Sequence, residues 1–111
     1  MPPKVSVCIP TYNRKDYLKE ALESVFAQTY KNYEVVIVDD GSTDGTEDML
    51  KDADYDVRYY WQKNSGDAAA RNKSIELAQG KSITFIDGTP KPNLIVKKYA
   101  IYTVSNRNKN L

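Results

Sequence analysis

Asp39 and Asp40 close a short β-branched run, and two carboxylates at the end of a strand offer hydrogen-bond acceptors to a ligand. The stretch from Tyr33 reads Tyr-Glu-Val-Val-Ile-Val-Asp-Asp-Gly-Ser-Thr-Asp-Gly-Thr and ends at Thr46. Val35 to Val38 has the composition of a strand buried on both faces of a parallel sheet. Gly41, Ser42 and Gly45 then give a turn with freedom for positive φ. One of the two acids is expected to stabilise that turn; a second beside it favours a ligand. Other residues of ligand type also follow strands: Pro10, Thr11 and Tyr12 after the first, and Asp87 after the fourth. A tyrosine offers a face on which a base can stack, and an aspartate offers acceptors for base N–H groups or ribose hydroxyls. Arg71 and Asn72, early in a later helix, are placed to reach a phosphate or a sugar. Together these groups suit a nucleotide. The chain has no G-x-G-x-x-G and no G-x-x-x-x-G-K-[ST], which argues against a dinucleotide or P-loop site.

Composition removes other chemistries. The 111 residues contain no histidine and one cysteine, Cys8, so His/Cys zinc sites, Ser-His-Asp catalysis and Cys-His catalysis are excluded. Any metal must be a hard ion held by oxygen. Cys8 lies within an apolar strand and reads as a small buried hydrophobe in a reducing compartment. The net charge of +1 gives no global field for nucleic acid or membrane, so no nucleic-acid partner is expected. Charge is nevertheless uneven: residues 1–56 carry 6 basic and 12 acidic side chains, residues 57–111 carry 10 and 3. No apolar run is long enough to cross a bilayer, and no signal-peptide core is evident. A cytoplasmic location is expected, with a membrane anchor possible in a longer parent.

These groups need elements to hold them. Val5 to Ile9 is expected as the first strand, stopped by Pro10. A helix to about Gln28 follows, capped by Asn13 with Asp16, because Leu18, Ala21, Leu22, Val25 and Phe26 recur at helical spacing. Asp44 with Glu47 reads as a capping pair for a short helix from Thr46 to about Lys51. Val57 to Trp61 has strand composition, with Tyr59, Tyr60 and Trp61 read as core and sheet-face residues. Asp67 to Gln79 is a third helix closed by Gly80 as C-cap, and Ser82 to Ile86 is the last clear strand. The order β-α-β-α-β-α-β predicts an α/β fold in three layers, helices covering both faces of a mainly parallel sheet. Ligands of such sheets lie where the strand order reverses, here between the first and fourth strands. Residues 1–89 form the expected domain. Residues 90–111 form a divergent segment packing on it or trailing from it, with Leu94 to Val104 fitting helix or strand equally.

Val5-Ser-Val-Cys-Ile-Pro-Thr-Tyr-Asn-Arg14, Ala27-Gln-Thr-Tyr30, Val38-Asp-Asp-Gly-Ser-Thr-Asp-Gly-Thr46, Ala70-Arg-Asn72 and Phe85-Ile-Asp87 together resemble family 2 glycosyltransferases. The resemblance covers about Lys4 to Asp87 and rests on several motifs in one order, which makes it far more specific than any one of them. It implies the GT-A fold, a nucleotide-binding α/β half joined to an acceptor-binding half. It also implies transfer of a sugar, with inversion, from a nucleotide-diphosphate sugar to an acceptor hydroxyl. UDP-sugar is the expected donor, and the acceptor, a saccharide or a lipid, is left open. By this resemblance Thr11 and Tyr12 line the base pocket, with Tyr12 packing on uracil or its equivalent, and Pro10 joins them among the substrate-binding residues. Asp40 hydrogen-bonds the base and Asp39 supports the loop. Arg71 lies near the diphosphate, and Asn72 holds nearby loop structure. Asp87 is the first acid of the family's D-x-D motif, near the ribose and the metal-bound diphosphate. Other readings of single residues stay open: Arg14 as a surface residue, and Arg71 as the ion-pair partner of Asp67 or Asp87.

The departures from the family are as informative. Where the family continues Asp-x-Asp-Asp, this chain reads Asp87-Gly-Thr-Pro90. Mg or Mn is expected from the family, with Asp87 as ligand. Thr89, however, replaces the partner acid, and a hydroxyl holds these ions more weakly than a carboxylate. The acceptor half and its general base have no counterpart in these residues, so no catalytic residue is assigned and the domain reads as truncated. Two functions therefore stand: the donor-binding domain of a glycosyltransferase, or an inactive nucleotide-binding or interaction module. Turnover by this chain alone is not expected, and self-association through an open sheet edge is possible. Lys97 and Lys98 are candidates to approach the diphosphate in place of the lost carboxylate.

Overall fold

In the computed structural model, residues 3–86 are described in full and residues 101–105 as backbone. The described elements are β1 (Val5–Thr11), α1 (Lys15–Phe26), β2 (Tyr33–Asp39), α2 (Thr46–Ala53), β3 (Arg58–Trp61), α3 (Asp67–Leu77), β4 (Ser82–Ile86) and β5 (Ile101–Ser105). They form one sheet of order β3-β2-β1-β4-β5. The first four strands are parallel, and β5 joins β4 antiparallel with Ser82 opposite Ser105. The order reverses beside β1, so the carboxyl ends of β1 and β4 flank the crevice.

Period-two alternation in the central strands divides the core into two layers. Val7, Ile9, Val35 and Ile37 face one side, where they meet Leu18, Ala21, Leu22 and Val25 of α1 and Leu50 of α2. Cys8, Val36, Val38, Ile83 and Phe85 face the other side, against Ala70 of α3 and Ala78 just beyond it. Each fully buried aliphatic side chain contributes roughly 1.5–3 kcal/mol. This is a three-layer α/β/α arrangement. No helix among the described residues is long and apolar enough to cross a membrane.

Several boundaries differ from the sequence expectation, each for a physical reason. Pro10 does not stop β1, which pairs with β2 as far as Thr11 opposite Asp39. The Thr11 carbonyl accepts from the Asp40 amide at 2.9 Å, so Pro10's nitrogen faces the β4 side. Pairing there ends at Cys8 opposite Phe85, and no donor is needed from the proline.

Asn13 does not cap α1. It lies at φ +49° and ties two loops together, its amide donating to Ser42 Oγ and its Oδ1 accepting from the Thr43 amide, both at 2.8 Å. The carboxylate serving the first turn of α1 is that of Asp44, which accepts from the Lys15 amide at 2.9 Å and from Thr46 Oγ1 at 2.6 Å. Burial opposes ionisation of Asp44, but these bonds outweigh it and hold its carboxyl below the ordinary value. The expected capping pair is not formed, since Glu47 pairs instead with Lys51 at 3.2 Å.

Helix α3 ends at Leu77 with Ala78 extended, so Gly80 is not its C-cap. A Cβ at Gly80 would lie 2.7 Å from the Ser6 amide nitrogen, and close approach to β1 is what requires glycine there. The Gly80 amide donates to Ser6 Oγ, and Glu34 collects Ser6 Oγ, the Gln79 amide and Arg58. This network fastens the end of α3 to three strands. Cys8 is fully buried; burial first, then the Glu34 charge, push its thiol up to about 12. Of the β3 aromatics only Tyr59 packs against the core. Tyr60 and Trp61 are exposed, since β3 is an edge strand with α3 covering the neighbouring strands.

Candidate functional site

An open cleft of about 520 Å³ lies at the carboxyl ends of the strands. The end of β1 supplies Pro10, Thr11 and Tyr12; the end of β2 supplies Asp40; β4 supplies Ile86. Asn64, Gly66, Asp67, Ala70 and Arg71 line it from the β3–α3 loop and the first turns of α3. Five of the residues expected at a substrate site are therefore brought together. Asp39, expected among the substrate-contacting residues, is not among the cleft's lining residues. Asn72 is exposed and likewise not among them. Arg14, read as a surface residue, is exposed and does line the cleft. Asp87, Thr89, Lys97 and Lys98 lie outside the described residues.

The two adjacent acids divide their work because successive residues of a strand point to opposite faces. Asp39 is 1% exposed; its Oδ1 accepts from the Ser42 amide at 2.9 Å and its Oδ2 from the Tyr59 hydroxyl at 2.6 Å. Burial and then Asp39 itself raise the Tyr59 phenol, which stays a donor at any physiological pH. Asp40 instead reaches across to the loop before α3. Its Oδ1 accepts from Gln62 Nε2 at 2.9 Å and the Ser65 amide at 2.8 Å. Its Oδ2 accepts from the Gly66 amide at 2.9 Å and Asn64 Nδ2 at 3.3 Å. Burial disfavours the charge on Asp40, but the bonds from Gln62, Ser65 and Gly66 prevail and lower its pKa. Asp40 is thus an ionised carboxylate seated at the N-terminus of α3, where the helix dipole also favours negative charge.

Tyr12 presents a half-exposed ring at the rim, 48% accessible. Arg71 is held in the cleft by Asp67, Nε to Oδ2 at 3.0 Å, and its guanidinium lies 5.8 Å from the Phe85 ring centroid. An aromatic face, a carboxylate and a guanidinium lining one cleft suit a ligand combining a planar ring bearing N–H with an anionic group. Gln62, Asn64 and Gly66 were not singled out from sequence; the signal available was a polar, glycine-ended loop directly after a strand. Among the described residues no group of three His, Cys, Asp or Glu side chains could hold a metal ion.

A crevice at the strand reversal of a GT-A-like α/β sheet defines the class of protein, and comparison with known proteins sharpens it. The glycosyl transferase family 2 model matches residues 6–88, and the chain belongs to that family. A glycosyltransferase of Rickettsia felis, itself uncharacterized, is 51% identical over 86 residues, 76% of this chain and 14% of that protein. The S. aureus TarS 1-349 structure in complex with UDP-GlcNAc superposes with a TM-score of 0.67 at 34% identity, covering 76% of this chain and 26% of TarS 1-349. The mannosyltransferase PcManGT from Pyrobaculum calidifontis, in complex with GDP-Man and Mn2+, gives 0.65 at 30% identity over 78% of this chain and 28% of its own. The chain thus spans well under a third of each of these three proteins.

Proposed function

We propose that this chain is the donor-binding portion of an inverting glycosyltransferase that takes a UDP-sugar. The observation that carries it is the convergence of Tyr12, Asp40 and Arg71 on one cleft at the strand reversal. The UDP-GlcNAc held by TarS and the GDP-Man held by PcManGT support a nucleotide-sugar as the ligand class. Tyr12 packs on the uracil, Thr11 borders it, and Asp40 accepts from the base imide N–H. Arg71 meets the diphosphate, where a guanidinium gives planar, charge-assisted bonds to phosphate oxygens. By the family resemblance Asp87, outside the described residues, would serve the ribose.

In the transfer, an acceptor hydroxyl loses its proton to a base and attacks the anomeric carbon from the face opposite the diphosphate. The bond to the diphosphate oxygen breaks and configuration inverts. The groups assigned here act on the donor: they bind and orient it, and Arg71 offsets charge on the leaving diphosphate. The base belongs to an acceptor-binding portion that these residues do not supply. A divalent ion would lend further charge stabilisation, and the residues expected to hold it, Asp87 and Thr89, lie outside the described residues. In sequence that motif reads Asp87-Gly-Thr89, one carboxylate and one hydroxyl, a weak donor set for such an ion, and no step here is routed through it. The Thr89 substitution favours a second reading, a domain that binds nucleotide without transferring sugar.

Calorimetric titration with UDP tests the donor site. Tyr12→Ala is expected to weaken binding about tenfold, in line with roughly 1–3 kcal/mol for a stacked base. Arg71→Ala should weaken UDP while leaving uridine, which lacks phosphate, nearly unchanged. Equal loss of uridine and UDP in Arg71→Ala would remove Arg71 from the diphosphate.

A further inference from the structure

We propose that Asn64 tunes nucleobase recognition by competing with the ligand for Asp40. A carboxylate offers about four acceptor positions, and four donors already occupy Asp40: Gln62 and Ser65 on Oδ1, Gly66 and Asn64 on Oδ2. A base N–H reaching this carboxylate must therefore displace a donor. The Ser65 and Gly66 amides are backbone groups at the entry to α3, and releasing either undoes the loop. Gln62 holds a 2.9 Å bond and does not line the cleft.

Asn64 differs on every count. Its 3.3 Å contact is the longest of the four and exceeds the usual range for N–H···O bonds. Its side chain is exposed and lines the cleft. It also donates to the Asp40 main-chain carbonyl at 3.0 Å, so it can yield Oδ2 without being left unpaired. Both of its acceptors lack hydrogens, which fixes its NH₂ group toward Asp40. Glycine at position 41 leaves room for this approach: a Cβ there would stand 2.8 Å from the Asn64 backbone nitrogen and 3.1 Å from its Cβ. Asn64 is thus the one exchangeable donor among the four, and its departure opens Oδ2 to an imide N–H.

This rests on the reading that Asp40 accepts from the base, and the test separates the two. UDP and N3-methyl-UDP, which lacks the imide hydrogen, are titrated against the full chain and against Asn64→Ala and Asn64→Ser, with amide spectra confirming the fold of each. Wild type is expected to prefer UDP, and the preference should widen about two- to tenfold in both variants, the range of one net hydrogen bond. General loosening of the loop would weaken both ligands alike and leave the ratio unmoved. A wild-type preference that stays constant or narrows in the variants overturns the role of Asn64 and leaves Asp40 as the base acceptor. No preference in wild type overturns the Asp40 assignment, and the role of Asn64 with it.

Discussion

Asp40 is the residue on which two levels of organisation meet. Its carboxylate joins the end of a central strand to the loop that aims α3 at the cleft, and that loop carries two further residues of the cleft lining, Asn64 and Gly66. Because its folded pKa lies below the ordinary 3.8, folding favours the ionised form. Its contribution to stability is therefore complete above pH 3.8 and is lost as pH falls from there through the lower folded value. Asp40→Asn should cost about 1–3 kcal/mol at neutral pH, since an amide serves these donors less well. Urea unfolding from pH 6 to pH 2.5 should show the variant and wild type converging at the acid end. Parallel curves would mean that the carboxylate's charge is not what the loop binds. Asp44, also depressed, persists in both proteins and sets the acid slope that remains.

At the scale of elements, the local pattern carried most of the fold. The β-branched run of β2 and the helical spacing of Leu18, Ala21, Leu22 and Val25 are read within a dozen residues, and tertiary packing agrees with both. Features decided by distant partners were not legible. Gly80 looked like a helix terminator, but its role depends on Ser6, more than seventy residues away, and Asn13 looked like a cap but serves the loop around Ser42. Tyr60 and Trp61 have core composition, yet their strand lies at an edge, a fact of topology rather than of composition. In the cleft, the sequence pointed to Tyr12, Asp40 and Arg71. Gln62 and Asn64 escaped because only the fold sets them against Asp40. The close approach at Gly80 makes a direct prediction. A methyl there meets backbone atoms of Val5 and Ser6 that cannot swing aside, so Gly80→Ala should destabilise by about 1–3 kcal/mol. A midpoint in urea equal to wild type would show that the α3–β1 junction is looser than described.

For the molecule as a whole, the sheet presents a cleft at its strand reversal, and the proposed donor role rests on that cleft. On the proposed reading binding and turnover separate, since Tyr12, Asp40 and Arg71 line the cleft and are assigned to the donor alone. Binding of uridine diphosphate in this cleft is checked by titrating the isotopically labelled chain with UDP and following its amides by NMR. The predicted result is a set of saturable shifts centred on Thr11, Tyr12, Asp40, Asn64 and Arg71, with the amides of α2 and of the Ser6–Glu34–Gly80 network unmoved. A well-dispersed spectrum in which those cleft amides stay still at millimolar UDP, or in which shifts gather elsewhere, would contradict it.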